Sequence, residues 1–162
     1  MMLLEGRRLV EDARSRGMVP SLAALTDRYR RSHGPAEFPY ILLSEDLFAR
    51  LADTKTPQGI LAFFPAPWAS VEEIARRERI VVLDGLQDPG NVGTIIRTAE
   101  AFGFSAVAVT EGTASPFSPK AVRSSMGSVL GVAIARIQPG ELAEFPHRLI
   151  ALAPEGSTRL SA

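Results

Sequence analysis

Ile80-Val81-Val82-Leu83 is an apolar, mostly β-branched run with no polar alternation, the pattern of a strand covered on both faces. It leads into Asp84-Gly85-Leu86-Gln87-Asp88-Pro89-Gly90-Asn91-Val92-Gly93. The helix pattern that starts near Asn91 places Val92, Ile95, Ile96, Ala99 and Phe102 on one face and stops at Gly103. A buried strand, a glycine-bearing turn and an amphipathic helix in that order open a βαβ unit, which calls for right-handed crossovers and a parallel sheet. Further strands are expected at Ala106–Val109, Gly131–Ala135 and Arg148–Ala153, with Ser118-Pro119 capping and starting another helix.

Upstream, residues 6 to 16 read as a helix with Leu9, Val10 and Ala13 inward and Gly17 as its left-handed stop. An apolar stretch at Leu22–Thr26 and a basic segment at Asp27–Arg31 follow. Strands are expected at Tyr40–Leu43 and Ile60–Phe64, with a helix between them capped by Ser44 and carrying Leu47, Phe48 and Leu51. Pro65-Ala66-Pro67 marks the break between units. The expected organisation is a small α/β domain over 1–65, a linker with a capping-box helix (Ser70 to Glu73, running to about Arg79) over 66–78, and a parallel-sheet domain over 79–162.

The chain has 162 residues, 18 Lys+Arg against 18 Asp+Glu, and 46% apolar residues, which is globular composition. Without cysteine, it has no thiolate chemistry, and His33 and His147 show no ligand spacing, so no metal is expected. Met1-Met2-Leu3-Leu4-Glu5 meets a carboxylate too early for a leader or a membrane span, and the expected location is cytoplasmic. Zero net charge argues against holding nucleic acid by bulk electrostatics. Lys55 and Lys120 are the only lysines, and the other cations are arginine. Either bidentate phosphate contacts or GC-rich codon usage accounts for that bias.

In a parallel sheet the Asp84–Gly93 turn lies at the carboxyl end of a strand, where ligands bind. Gly90 and Gly93 permit close approach, Asn91 presents an amide at a helix N-terminus, and Arg97 follows within the helix. Asn91 as a plain N-cap and Arg97 as a solvated side chain explain the same residues. The turn is neither a GxGxxG fingerprint nor a phosphate loop. Its bare GxxG matches a KH loop only in spelling. Asp84 and Asp88 read as a carboxylate pair or, more simply, as turn residues. Trp68 with Phe63 and Phe64 reads as a base-stacking platform or as core.

The run DGLQDPGNVGTIIRTAEAFG (Asp84–Gly103), followed by Ser118-Pro119-Lys120-Ala121-Val122-Arg123-Ser124-Ser125-Met126-Gly127, resembles the first motif and adjoining loop of the SpoU/TrmH family of RNA ribose 2′-O-methyltransferases, in the SPOUT superfamily. Leu4-Glu5-Gly6-Arg7 and Thr56-Pro57-Gln58-Gly59-Ile60-Leu61-Ala62 resemble that family's small N-terminal RNA-binding domain. The resemblance implies S-adenosylmethionine as cofactor, rRNA or tRNA as partner, and a homodimer. It assigns the central catalytic role to Arg97, with Asn91 shaping the loop beside it. A guanidinium resists deprotonation, so Arg97 is expected to orient ribose and phosphate and to stabilise the developing alkoxide. Arg123 and Ser125 are expected to hold RNA phosphate and sugar, and Arg7 and Arg8 to contact RNA from the first domain. Helix or loop capping is the competing explanation for the Ser124-Ser125 pair.

By the same resemblance the cofactor lies against Leu149–Ala153, with Leu152, Ala153, Pro154 and Gly156 at its rim. The family's Gly-x-Glu-Gly and Ser-Leu-Asn motifs do not occur, and nine residues follow Ala153. The expectation is therefore a methyltransferase domain truncated before its knot and inactive alone. The alternative is a non-catalytic RNA-binding protein that keeps the fold without a complete cofactor pocket.

Overall fold

The computed structural model describes residues 1–152 and has mixed α/β architecture. The first unit comprises β1 (Met2–Glu5), α1 (Arg7–Ser15), β2 (Leu22–Thr26), α2 (Asp27–His33), β3 (Tyr40–Leu43), α3 (Glu45–Leu51) and β4 (Ile60–Phe64). Its sheet runs β1-β4-β2-β3. It is mixed, because β4 is antiparallel to both β1 and β2 while β2 and β3 are parallel. β1 went unread in the sequence: four residues at the N-terminus carry little pattern, and pairing with β4 makes them a strand.

The second unit comprises α4 (Val71–Ala75), β5 (Ile80–Leu83), α5 (Pro89–Ala101), β6 (Ala106–Val109), α6 (Pro119–Ser125), a 3-10 turn at Ser128–Leu130, β7 (Ala133–Arg136) and α7 (Pro139–Leu142). β5, β6 and β7 form a parallel sheet in sequence order, with Leu83, Val109 and Arg136 in register at the carboxyl edge. All four residues of β6 are buried. Val107 and Val109 face the core under α5 and α6, while Ala106 and Ala108 face Ile74 of α4. The strand covered on both faces is thus β6. Ile80, Val81 and Val82 of β5 are only half-buried, because β5 has a single neighbour among the described strands.

Other expectations also need correction. Arg148–Leu152 forms no strand, and Ala153 lies outside the described residues. Apolar composition makes a strand only where a neighbour accepts its backbone hydrogen bonds, and Leu149 and Ile150 stand 65% and 63% exposed. Helix α4 stops at Ala75, short of Arg79, and α5 starts at Pro89, ahead of Asn91. Phe102, placed by periodicity on the buried face, is the C-cap of α5 and is exposed. His147 lies in the bend after α7, its Nε2 2.6 Å from the Arg77 carbonyl oxygen.

One apolar core runs through both sheets, from Met2, Leu25 and Phe64 to Val92, Ile96, Val122 and Ile134. Continuous apolar packing of this kind resists independent motion of the two units.

Candidate functional site

Asp88 organises the turn after β5. As N-cap of α5 its Oδ1 accepts from the Gly90 N–H at 2.5 Å and the Asn91 N–H at 3.4 Å, with Pro89 filling the first helical position. Lys120, at the start of α6, donates to both carboxylate oxygens at 3.0 and 3.3 Å. Lys120 first, then the Gly90 N–H, holds the Asp88 carboxyl below the usual aspartate range. Because Asp88 supplies the cap, Asn91 is not one, and its side chain lies exposed in the first turn. The Asp-Pro pair was the sequence signal for this cap.

The turn is tied to the neighbouring loop at the carboxyl edge. Thr110, buried just past β6, donates to Asp84 Oδ1 at 2.7 Å and accepts from the Gly85 N–H at 3.2 Å. Thr113 Oγ1 donates to the Leu83 carbonyl at 2.9 Å, and the Ala114 N–H to the Leu86 carbonyl at 2.8 Å. Asp84 and Asp88 therefore serve two separate structural knots, and a paired-carboxylate site does not form.

Helices α5 and α6 run side by side, their N-termini joined by the Asp88–Lys120 pair. Gly93 makes that approach possible. A Cβ there would collide with Ser124 Oγ and with the Ala121 carbonyl oxygen, and would lie 2.9 Å from the Ser125 nitrogen. The contact brings Arg97 to the far end of α6, where its Nη1 donates to Met126 Sδ at 3.0 Å. Met126, the C-cap of α6, is the only described non-glycine residue at positive φ (52°), and it is 73% exposed.

The same end of α6 meets the first unit. A Cβ added at Gly127 would lie 3.4 Å from Leu9 Cδ2 of α1. Arg123 forms an ion pair with Asp53, in the loop after α3. The seam between the units thus gathers Arg97, Met126 and Arg123. Arg7 and Arg8, exposed on the first turn of α1, precede Leu9 in the same helix. Arg7 is partly spoken for, with its Nε on Glu11 at 2.6 Å and its backbone N–H on Gln58 Oε1 at 2.8 Å.

Ser125 is fully buried and its hydroxyl donates to the Val122 carbonyl at 2.8 Å, so it supports α6 and presents nothing to a ligand in this conformation. Ser124 likewise back-bonds within α6 and reaches toward Pro89. Trp68 stands 39% exposed, edge-on to Phe117 and under the Arg136 guanidinium at 5.2 Å, while Phe64 is core. Leu152 is 75% exposed, and Ala153, Pro154 and Gly156 lie outside the described residues. Among the described residues no cluster of three or more His, Asp or Glu side chains could hold a metal, and no helix is long and apolar enough to cross a membrane.

Asp53, Met126 and Lys120 were missed by the sequence reading. Asp53 and Arg123 are 70 positions apart, and no local pattern joins them.

Residues 78–151 match the SpoU rRNA Methylase family, and residues 1–62 match the MRM3-like substrate binding domain. The chain is 38% identical over 135 residues to the 23S rRNA (guanosine(2553)-2′-O)-methyltransferase RlmP of Bacillus subtilis, covering 83% of this chain and 53% of that protein. It is 32% identical over 136 residues to the human mitochondrial rRNA methyltransferase 3, covering 78% of this chain and 32% of the relative. Among solved structures, the AdoMet-bound rRNA methyltransferase from Sinorhizobium meliloti superposes with a TM-score of 0.75 at 28% identity, over 89% of this chain and 57% of that one. The SpoU methyltransferase AviRb from Streptomyces viridochromogenes, in complex with AdoMet, gives 0.73 at 28% identity, over 88% and 56%. The chain spans about half the length of the Bacillus subtilis protein. With the motif residues placed as described, and with relatives matching both units, the chain belongs to the SpoU/TrmH methylase family.

Proposed function

We propose that this chain is the RNA-binding and ribose-orienting part of an S-adenosylmethionine-dependent RNA 2′-O-methyltransferase acting on ribosomal RNA. The observation that carries this reading is the convergence of Arg97 and Arg123, through Met126, at the seam between the two units. An RNA bridging the seam meets guanidinium groups suited to bidentate phosphate contact.

When bound, S-adenosylmethionine supplies the methyl group. The chain's own part is to fix the acceptor. Arg97, anchored at one Nη by Met126, keeps its other donors for a ribose oxygen and the adjacent phosphate. That contact lowers the cost of negative charge developing on the 2′-oxygen, a role for which a fixed, permanently charged guanidinium is suited. Asn91, exposed one turn from the Asp88 cap, lines the same helix upstream of Arg97. The protein works as a homodimer.

Methyl transfer to a transcribed 23S rRNA fragment spanning guanosine 2553, measured with the full-length protein and labelled S-adenosylmethionine, tests the reading. Label incorporation that disappears when the acceptor ribose is 2′-deoxy is the expected result. Incorporation that survives the deoxy substitution overturns it. One observation favours a second reading for the 162-residue chain itself: Leu149–Leu152 are exposed and pair with no strand among the described residues. On that reading the chain keeps the fold and binds RNA without methylating it.

A further inference from the structure

Arg123 does not stand free at the seam. Its guanidinium is held by the Asp53 carboxylate, and both side chains remain about half exposed, 42% and 51%. The Asp53 loop is itself pinned. Glu5, at the end of β1, accepts from the Asp53 N–H at 3.0 Å, the Thr54 N–H at 3.3 Å and the Thr54 hydroxyl. One carboxylate thus fixes the loop backbone, and the next presents its charge to Arg123 across the junction of the two units. One Asp53 carboxylate oxygen holds an Arg123 Nη1 donor, a position that a phosphate oxygen would take on a guanidinium.

We infer that Asp53 is a built-in phosphate mimic, which holds Arg123 in the RNA-free protein and is displaced by an RNA phosphate on binding. This rests on the RNA reading of the seam proposed above and names how that site is regulated. Displacement breaks the Asp53–Arg123 pair and leaves the Asp53 carboxylate in water close to the incoming phosphate. Both effects oppose binding, so the pair sets a threshold that a ligand must exceed. An isolated phosphate offers too little to compensate. An RNA that contacts Arg97 and the first unit together compensates through several contacts at once. Glu5 strengthens the threshold, because a fixed loop loses less entropy in holding Arg123 than a mobile one would.

Binding of the 162-residue chain to a transcribed 23S rRNA fragment spanning guanosine 2553, followed by fluorescence anisotropy at low salt, tests the inference. Asp53→Asn keeps the side-chain shape and removes the charge. It should tighten RNA binding about two- to fivefold, the scale of an exposed ion pair. Arg123→Gln should weaken binding, and adding Asp53→Asn to Arg123→Gln should tighten it by clearly less than Asp53→Asn does in wild type, because only the repulsion between carboxylate and phosphate is then removed. Thermal melts check that each variant is folded. If Arg123→Gln weakens binding while Asp53→Asn leaves it unchanged or weakens it, the mimic is overturned and the RNA reading of the seam survives. If Arg123→Gln has no effect, or wild type binds no RNA, the RNA reading fails and the mimic fails with it.

Discussion

Arg97 and Met126 lie 29 positions apart and meet where α5 and α6 run together, the guanidinium Nη1 donating to the thioether sulfur at 3.0 Å. A thioether is a weak acceptor, so this contact orients the arginine without consuming its charge. The remaining donors keep their planar fork, which lysine cannot supply.

Arg97→Lys should therefore separate binding from turnover in the full-length protein. Methyl transfer should fall by about 100-fold, the scale of losing one preorganised donor to a developing oxyanion. RNA affinity should change by less than about threefold, because the positive charge remains. Parallel single-turnover and equilibrium binding measurements check this, and equal losses in both would reduce Arg97 to an ordinary phosphate contact.

Gly93→Ala tests the α5–α6 contact that positions Arg97. The new methyl group meets the Ala121 carbonyl oxygen and the Ser125 nitrogen, which are backbone and cannot rotate away. Overpacking of this kind costs about 1–3 kcal/mol. A fall in melting temperature of about 3–10 °C should follow for a chain of this size. Circular dichroism melts of the two proteins decide it, and an unchanged melting point would show that the helices separate easily.

Acid unfolding should report on Asp88. Its carboxyl sits below the ordinary aspartate range because Lys120 and the Gly90 N–H favour the ionised form. A depressed folded-state pKa means that the unfolded chain binds the proton first. The stabilisation is therefore complete above the ordinary aspartate range and is lost as pH falls through the lower folded-state value. Asp88→Asn keeps a capping side chain but has no proton to take up. Its stability should depend less steeply on pH than wild type in the acid range, and the two should differ most above it. Urea titrations across that range check the sign.

S-adenosylmethionine should bind the 162-residue chain weakly or not at all. Ligand sites of this size bury most of the ligand. Leu149, Ile150 and Leu152 instead stand 63% to 75% exposed. Calorimetric titration settles the matter, and tight stoichiometric binding would show that residues 1–162 already carry the pocket.

Sequence alone was enough wherever the determinant was local. The β-branched run at Ile80–Leu83, the serine caps at Ser44, Ser70 and Ser118, and the motif around Asn91 and Arg97 could all be read because each depends on residues within a few positions of one another. Tertiary structure decided what depends on a distant neighbour. β1 became a strand by pairing with β4, and Arg148–Leu152, no less apolar, has no such partner among the described residues. β6, not β5, took both covers because it lies between two strands. Ser125 and Arg123 belong to one motif, yet one is sealed in the core and the other held by Asp53 from the opposite unit. Burial and charge pairing are sums over whatever the fold brings near, and residues 70 positions apart in sequence leave no local trace of meeting.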